Sequence, residues 1–240
     1  MTGWLVAGGP VIPNFGHPSA CLKRNGWFCT DWMSKHWGDT LQPALVQHIE
    51  LTLIAVGIGF GIAFLLALVG FRWRVFDAPL GGLTDLLYAI PSIALFQLLV
   101  PLTGLTVTTV EIALTSYTLF ILYRNILSGL RAVPEDVLES ARGMGFTRLQ
   151  TFLRVELPLA APAILAGIRI ATVATISIAT VAAFLIQYGL GAPIFDAIET
   201  PDLFKTELLA SGGLAILLAL TADGLLAVAQ RAVTPWSRLR

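Results

Sequence analysis

The chain has 240 residues, of which 56% are hydrophobic and only 12% charged, and its mean hydropathy is +0.79. Intrinsic disorder is excluded, because it needs low hydrophobicity and high charge, and so few charges could hardly cover a water-facing surface. The 15 basic and 15 acidic residues cancel, which gives no support for nucleic-acid binding and leaves an integral membrane protein as the class.

Residues 1–45 form an extracytoplasmic N-terminal segment in this reading. They carry no basic region followed by a long apolar stretch, so no cleavable signal peptide is expected. Four of the six tryptophans lie here, at Trp4, Trp27, Trp32 and Trp37. Such rings favour the lipid–water boundary, so the segment reads either as a short interfacial helix or as a loosely ordered tail. Cys21 and Cys29 are the two cysteines, and an oxidising exterior permits a disulfide between them. His17 and His36 lie nearby, but the spacing matches no zinc pattern, so no metal site is expected.

Apolar runs then predict five transmembrane helices, near 47–70, 82–102, 107–126, 164–188 and 207–231, within a membrane domain at 46–232. The fold class is all-α; a β-barrel would show alternating segments of about ten residues. Pro91 frees a backbone carbonyl inside the second run. Eleven of the 15 basic residues follow the first span, lie between the third and fourth, or end the chain. The remaining four, Lys23, Arg24, Lys35 and Lys205, fall before the first span or between the fourth and fifth. The positive-inside rule therefore puts the N-terminus outside and residues 233–240 in a cytoplasmic tail.

No phosphate-binding loop, H-E-x-x-H or G-x-S-x-G is present, and all three histidines precede residue 50. An enzyme is therefore disfavoured, and any ATP used in transport is expected on another subunit. The longest inner segment, about 128–160, reads as two short amphipathic helices around a glycine turn. Pro134 suits a first helical position, Glu135 and Asp136 suit the first turn, and Gly143 and Gly145 stop the helix. Thr147 with Gln150 forms a capping box, and Pro158 is expected to end or kink the second helix. Val137, Met144, Phe146, Leu149, Phe152 and Leu153 suggest docking onto something.

Glu139-Ser140-Ala141-Arg142-Gly143-Met144-Gly145, nine further residues, and then Val155-Glu156-Leu157-Pro158 resemble the EAA motif of ABC-importer permeases, with Ser140 and Val155 as modest departures. The resemblance implies a type I permease of methionine-importer-like architecture in a cell membrane, with a coupling helix docked on a separate ATP-hydrolysing subunit. By position, Glu139, Ala141 and Gly145 would form that contact, Arg142 and Gly143 belong to the same helix, and Leu157 and Pro158 lead back to the membrane. Ala89-Ile90-Pro91-Ser92-Ile93-Ala94-Leu95, with Gly167-Ile168-Arg169, Ala182-Ala183-Phe184 and Gly189-Leu190-Gly191, is similar to the osmoprotectant branch, which imports glycine betaine, choline and similar solutes. Implied partners are ATPase subunits, a second permease that is identical or homologous, and an extracytoplasmic binding protein; no cofactor is expected in this chain. The chain ends at Arg240, and no binding-protein domain is expected in it.

Ser92, Gln97, Thr172, Thr175, Ser177 and Gln187 are polar candidates for lining a pathway. Tyr88, Phe96, Tyr117 and Tyr188 could offer ring faces to a quaternary ammonium. Ala171, Thr175, Ala179 and Ala183 form one small-residue stripe, and Gly57 and Gly61 another, for packing within the subunit or against a second permease. Asp223 is the one acid deep in an apolar run, and Glu111, Asp196, Glu199 and Asp202 are placed on the outer side. The rival readings are an importer for another small solute such as an amino acid, and a stand-alone channel or ion-driven carrier.

Overall fold

The structure is a computed structural model that describes residues 20–236; Trp4, His17, Arg238 and Arg240 lie outside them. The described residues contain helices and no strand. Two short helices, α1 (Ala20–Lys23) and α2 (Thr30–Lys35), and a π-helical turn at Trp37–Leu41 lead into the long α3 (Gln42–Arg72). A 3₁₀ turn precedes α4 (Asp77–Ala89), followed by α5 (Ser92–Thr103) and α6 (Val107–Arg131). The loop contributes α7 (Glu135–Gly143) and α8 (Arg148–Thr151), and the chain continues through α9 (Leu157–Val181), α10 (Gly191–Glu199) and α11 (Lys205–Val233).

Helices stand at all five places where spans are predicted, but the second is broken and the third, α6, is not apolar enough to pass as a span by itself. The stretches Trp37–Arg72, Arg148–Phe184 and Lys205–Val233 are each long and apolar enough to cross a membrane. The second predicted helix is two helices, α4 and α5, which meet at 99° and pass only as a pair. Pro91 is the cause: the residue before a proline is driven out of the helical region, and Ile90 is extended, at φ −70° and ψ 128°. The carbonyl freed at Ile90 accepts a hydrogen bond from the Tyr117 hydroxyl, which ties the elbow to α6.

The α6 helix is less apolar because it is the centre of the bundle. It carries Glu111, Arg124, Asn125 and Arg131. Thirteen of its 25 residues are buried, against nine of 31 in α3 and four of 29 in α11, so its surroundings are mostly protein. It packs against α3, α9, α4 and α5, while α11 lies on α9 and α10 at the periphery. Small residues set the spacing. Ala55, Gly59, Ala63 and Ala67 recur every four residues on α3, all buried. A Cβ at Gly59 would stand 1.8 Å from Thr118 Oγ1, so only glycine admits this approach of α6. This stripe is offset by two residues from Gly57 and Gly61, where an added Cβ would meet nothing. Ala171, Thr175, Ala179 and Ala183 are buried inside the chain, so that stripe serves packing within the subunit.

Polar contacts fix the helix ends. Arg131 pairs with Asp77 at 2.7 Å, and the Tyr123 hydroxyl donates to the same carboxylate at 3.1 Å, joining α6 to the start of α4. Arg124 pairs with Asp85 at 2.6 Å. At the other end, His48 is wholly buried: Leu190 N–H donates to its Nδ1 at 3.2 Å, which leaves Nε2–H to donate to the Ile176 carbonyl at 3.0 Å. One neutral imidazole thus ties α3, α9 and the turn before α10 together. Cys21 and Cys29 form a disulfide with Cα atoms 5.6 Å apart. Trp32 is buried, stacked on His36 and edge-on to Phe204, so residues 20–41 are helical turns docked on the bundle and not a loose tail.

Candidate functional site

The loop between α6 and α9 presents one short helix at the end of the bundle where ion pairs join α6 to α4 and Arg131 also donates to the Gly70 carbonyl of α3. Pro134 is the residue before α7, one place earlier than expected, and Glu135 and Asp136 occupy the first turn, where the helix dipole favours carboxylates. Arg142 reaches back to Glu135 at 3.0 Å, both side chains largely exposed, so the pair orients more than it stabilises. Gly143 lies inside the helix, and the reversal falls at Gly145, whose φ of +81° is left-handed. The Phe146 amide donates to the Ala141 carbonyl at 3.1 Å and closes the turn. Thr147 and Gln150 complete the capping box, with bonds of 3.3 and 2.8 Å.

One expectation for this loop is corrected. Pro158 does not end or kink a second short helix: α8 runs through a π-helical turn at Phe152–Glu156 straight into α9. The widened turn bonds the Leu157 amide to the Phe152 carbonyl, five residues back, and Pro158 follows directly after it in α9. Ala141, which the resemblance puts in the subunit contact, is 1% exposed on the inner side of α7, and α7 packs on the π-helical turn. The outward face of the loop consists of Glu139, Arg142, Gly143 and Gly145, with Val137, Met144, Leu149 and Leu153 exposed among them. Leu157 and Pro158 are half-buried at the root of α9.

The pathway candidates separate into two groups. Tyr88, Pro91 and Gln97 are exposed at the α4–α5 elbow, with Ser92 half-buried beside them. Thr172 and Thr175 are buried, and their hydroxyls donate to the Ile168 and Ala171 carbonyls of their own helix, so they are not brought to the elbow. Phe96 and Tyr117 are core residues. Tyr88 stacks on Phe120 with centroids 4.6 Å apart, and Tyr188 donates to Glu50 at 3.1 Å. Ser177 is exposed, and Gln187 donates to Asp196 at 3.2 Å.

Asp223 is paired. Arg169, twelve residues into α9, grips it with two bonds of 2.9 Å and also donates to Gln230 at 3.2 Å. Gln230 in turn donates to the Pro162 carbonyl at 3.0 Å. The four residues lace α9 to α11, and a planar guanidinium suits this two-pronged grip. Both carboxylate oxygens of Glu111 are buried and without a hydrogen-bond partner, whereas Asp196, Glu199 and Asp202 are exposed. No group of three or more metal-ligating side chains occurs among the described residues. His48 with Leu190 and Ile176, and Tyr117 with Ile90, were not legible as pairs, because nothing in a sequence marks partners so far apart.

Comparison with known proteins accounts for this arrangement. Residues 48–235 match the family described as the binding-protein-dependent transport system inner membrane component, and the chain belongs to that family. It is thus the permease component of such a system, an inner-membrane protein and not an enzyme. It is 36% identical over 199 residues to the choline transport system permease protein OpuBB of Bacillus subtilis, covering 82% of this chain and 90% of that protein. It is 36% identical over 195 residues to the osmoprotectant import permease protein OsmW of Salmonella typhimurium, covering 79% and 89%. Among solved structures, an inward-facing form of the MetNI methionine ABC transporter aligns with TM-score 0.71 at 19% identity, covering 84% of this chain and 98% of that one. That likeness establishes the type I permease fold.

Proposed function

We propose that the chain is the permease of an ATP-driven importer of quaternary ammonium osmoprotectants such as choline or glycine betaine. The observation that carries this reading is the agreement between the exposed α7 loop, with its EAA-like spacing, and relatives whose names specify choline, glycine betaine and carnitine over most of the chain. The working unit would hold two permeases, identical or homologous, two ATPase subunits and an extracytoplasmic binding protein. The N-terminus would face outward, with α3, the α4–α5 pair, α6, the α8–α9 rod and α11 as five spans of a domain at 46–232. Selective capture of the solute would belong to the binding protein, and passage would follow the polar elbow of Tyr88, Pro91, Ser92 and Gln97, with Thr172 and Thr175 acting from behind as packing.

In this mechanism α7 seats in a groove of the ATPase through Glu139, Arg142 and its exposed apolar rim. Closure of the ATPases displaces α7. The capping box, the Gly145 turn and the uninterrupted α8–α9 rod pass that displacement into the membrane as one rigid movement. A bulky residue at Gly145 cannot adopt φ +81° without strain of about 1–2 kcal/mol, so it would re-aim α7. Gly145→Val should lower uptake at least tenfold in the reconstituted complex while ATP hydrolysis persists. Gly145→Asn, tolerated in the left-handed region, should stay near wild type. Unchanged uptake in Gly145→Val would contradict the coupling role.

A further inference from the structure

The family match begins at residue 48, yet residues 20–41 are built into the fold. The disulfide closes a small ring over residues 21–29, and Cys29 is 2% exposed. From the ring, the Asn25 side chain reaches the connection between α10 and α11. Its Nδ2 donates to the carbonyls of Asp202 and Leu203 at 2.8 and 2.9 Å, and its Oδ1 accepts from the Lys205 amide at 3.1 Å. Next to it, the Thr206 hydroxyl donates to the Gly26 carbonyl at 2.7 Å.

These contacts do what the connection cannot do alone. The first amides of a helix have no partner within it, and Phe204, the residue before α11, offers no capping side chain. Asn25 supplies that cap from 180 residues away. Leu203 has φ +49°, a conformation that a branched side chain holds only when its surroundings impose it, and Asn25 binds its carbonyl. Trp32 lies edge-on to Phe204, and Leu41 and Ala210 share the same small core. The α11 helix needs this support: Leu45, Ile49, Leu214, Leu217, Leu218 and Thr221 line an open apolar crevice between α3 and α11.

We propose that residues 20–41 are a disulfide-closed strap that caps α11 and fixes the α10–α11 connection to the start of α3, holding the surface that carries Asp196, Glu199 and Asp202 in the shape the binding protein docks on. The docking role rests on the importer reading above; the cap does not. The test uses the whole reconstituted importer in nanodiscs, oxidised or treated with tris(2-carboxyethyl)phosphine. That phosphine becomes its oxide as water supplies the oxygen and the two protons for the Cys21 and Cys29 thiols. Asn25→Ala provides a variant with the ring intact, and reduced wild type avoids any folding defect of cysteine variants.

Hydrogen exchange at the Lys205 amide should rise about tenfold in Asn25→Ala and on reduction. The binding-protein concentration giving half-maximal ATP hydrolysis should rise at least threefold, with the maximal rate little changed. Unchanged exchange at Lys205 overturns the strap. Raised exchange with unchanged half-saturation overturns its docking role. Oxidised wild type that shows no stimulation by the binding protein overturns the importer reading and the docking role with it, while exchange still decides the cap.

Discussion

Single side chains close this fold by meeting backbone groups that the helices leave open. Tyr117 answers the carbonyl that Pro91 frees at Ile90, and His48 bridges Ile176 and Leu190. Tyr117→Phe keeps the ring and removes only the donor, leaving the half-buried Ile90 carbonyl without this partner at a cost of about 1 kcal/mol. The variant should melt at a lower temperature than wild type in detergent and loosen the α4–α5 elbow, seen as faster labelling of a cysteine placed at Gln97. Equal melting temperature and labelling would mean that the elbow holds itself. Reading the residues one at a time assigned Tyr117 a ring face for the solute. Its hydroxyl, whose partner lies 27 residues back, decides its role instead. The Thr147–Gln150 cap and the first-turn acids of α7 were legible because both partners lie within one helical turn.

Among the elements, α9 and α11 are joined by the Arg169–Asp223 grip extended through Gln230 to Pro162. A charge left alone among apolar helices is worse than no charge, because the surviving partner has nothing to neutralise it. Arg169→Met should therefore lower the yield and melting temperature of the folded permease more than the double variant Arg169→Met with Asp223→Leu. Equal or additive losses in the double variant would show that the two residues act independently. The sequence marked Asp223 as unusual and left its partner unnamed. The span pattern was legible for α3, α9 and α11, where long apolar runs face outward. It was weaker for α6, because Arg124, Asn125 and Arg131 interrupt its apolar pattern near one end, each with a partner of its own. The continuous α8–α9 rod was misread at Pro158, since a π-helical turn that absorbs a proline leaves no local signature.

In the whole molecule, the spacing from Glu139 to Pro158 and the apolar composition were enough to point to a permease, while the strap over α11 was not. Its parts are 180 residues apart, and only the two cysteines and the tryptophans hinted at order there. The account makes the molecule a passive conduit whose movement is powered elsewhere. The most direct test is uptake of radiolabelled choline and glycine betaine into vesicles, first with the permease alone and then with its ATPase, second permease and binding protein. The account predicts no uptake by the chain alone and uptake that requires both ATP and the partners. Accumulation without ATP or partners would contradict it.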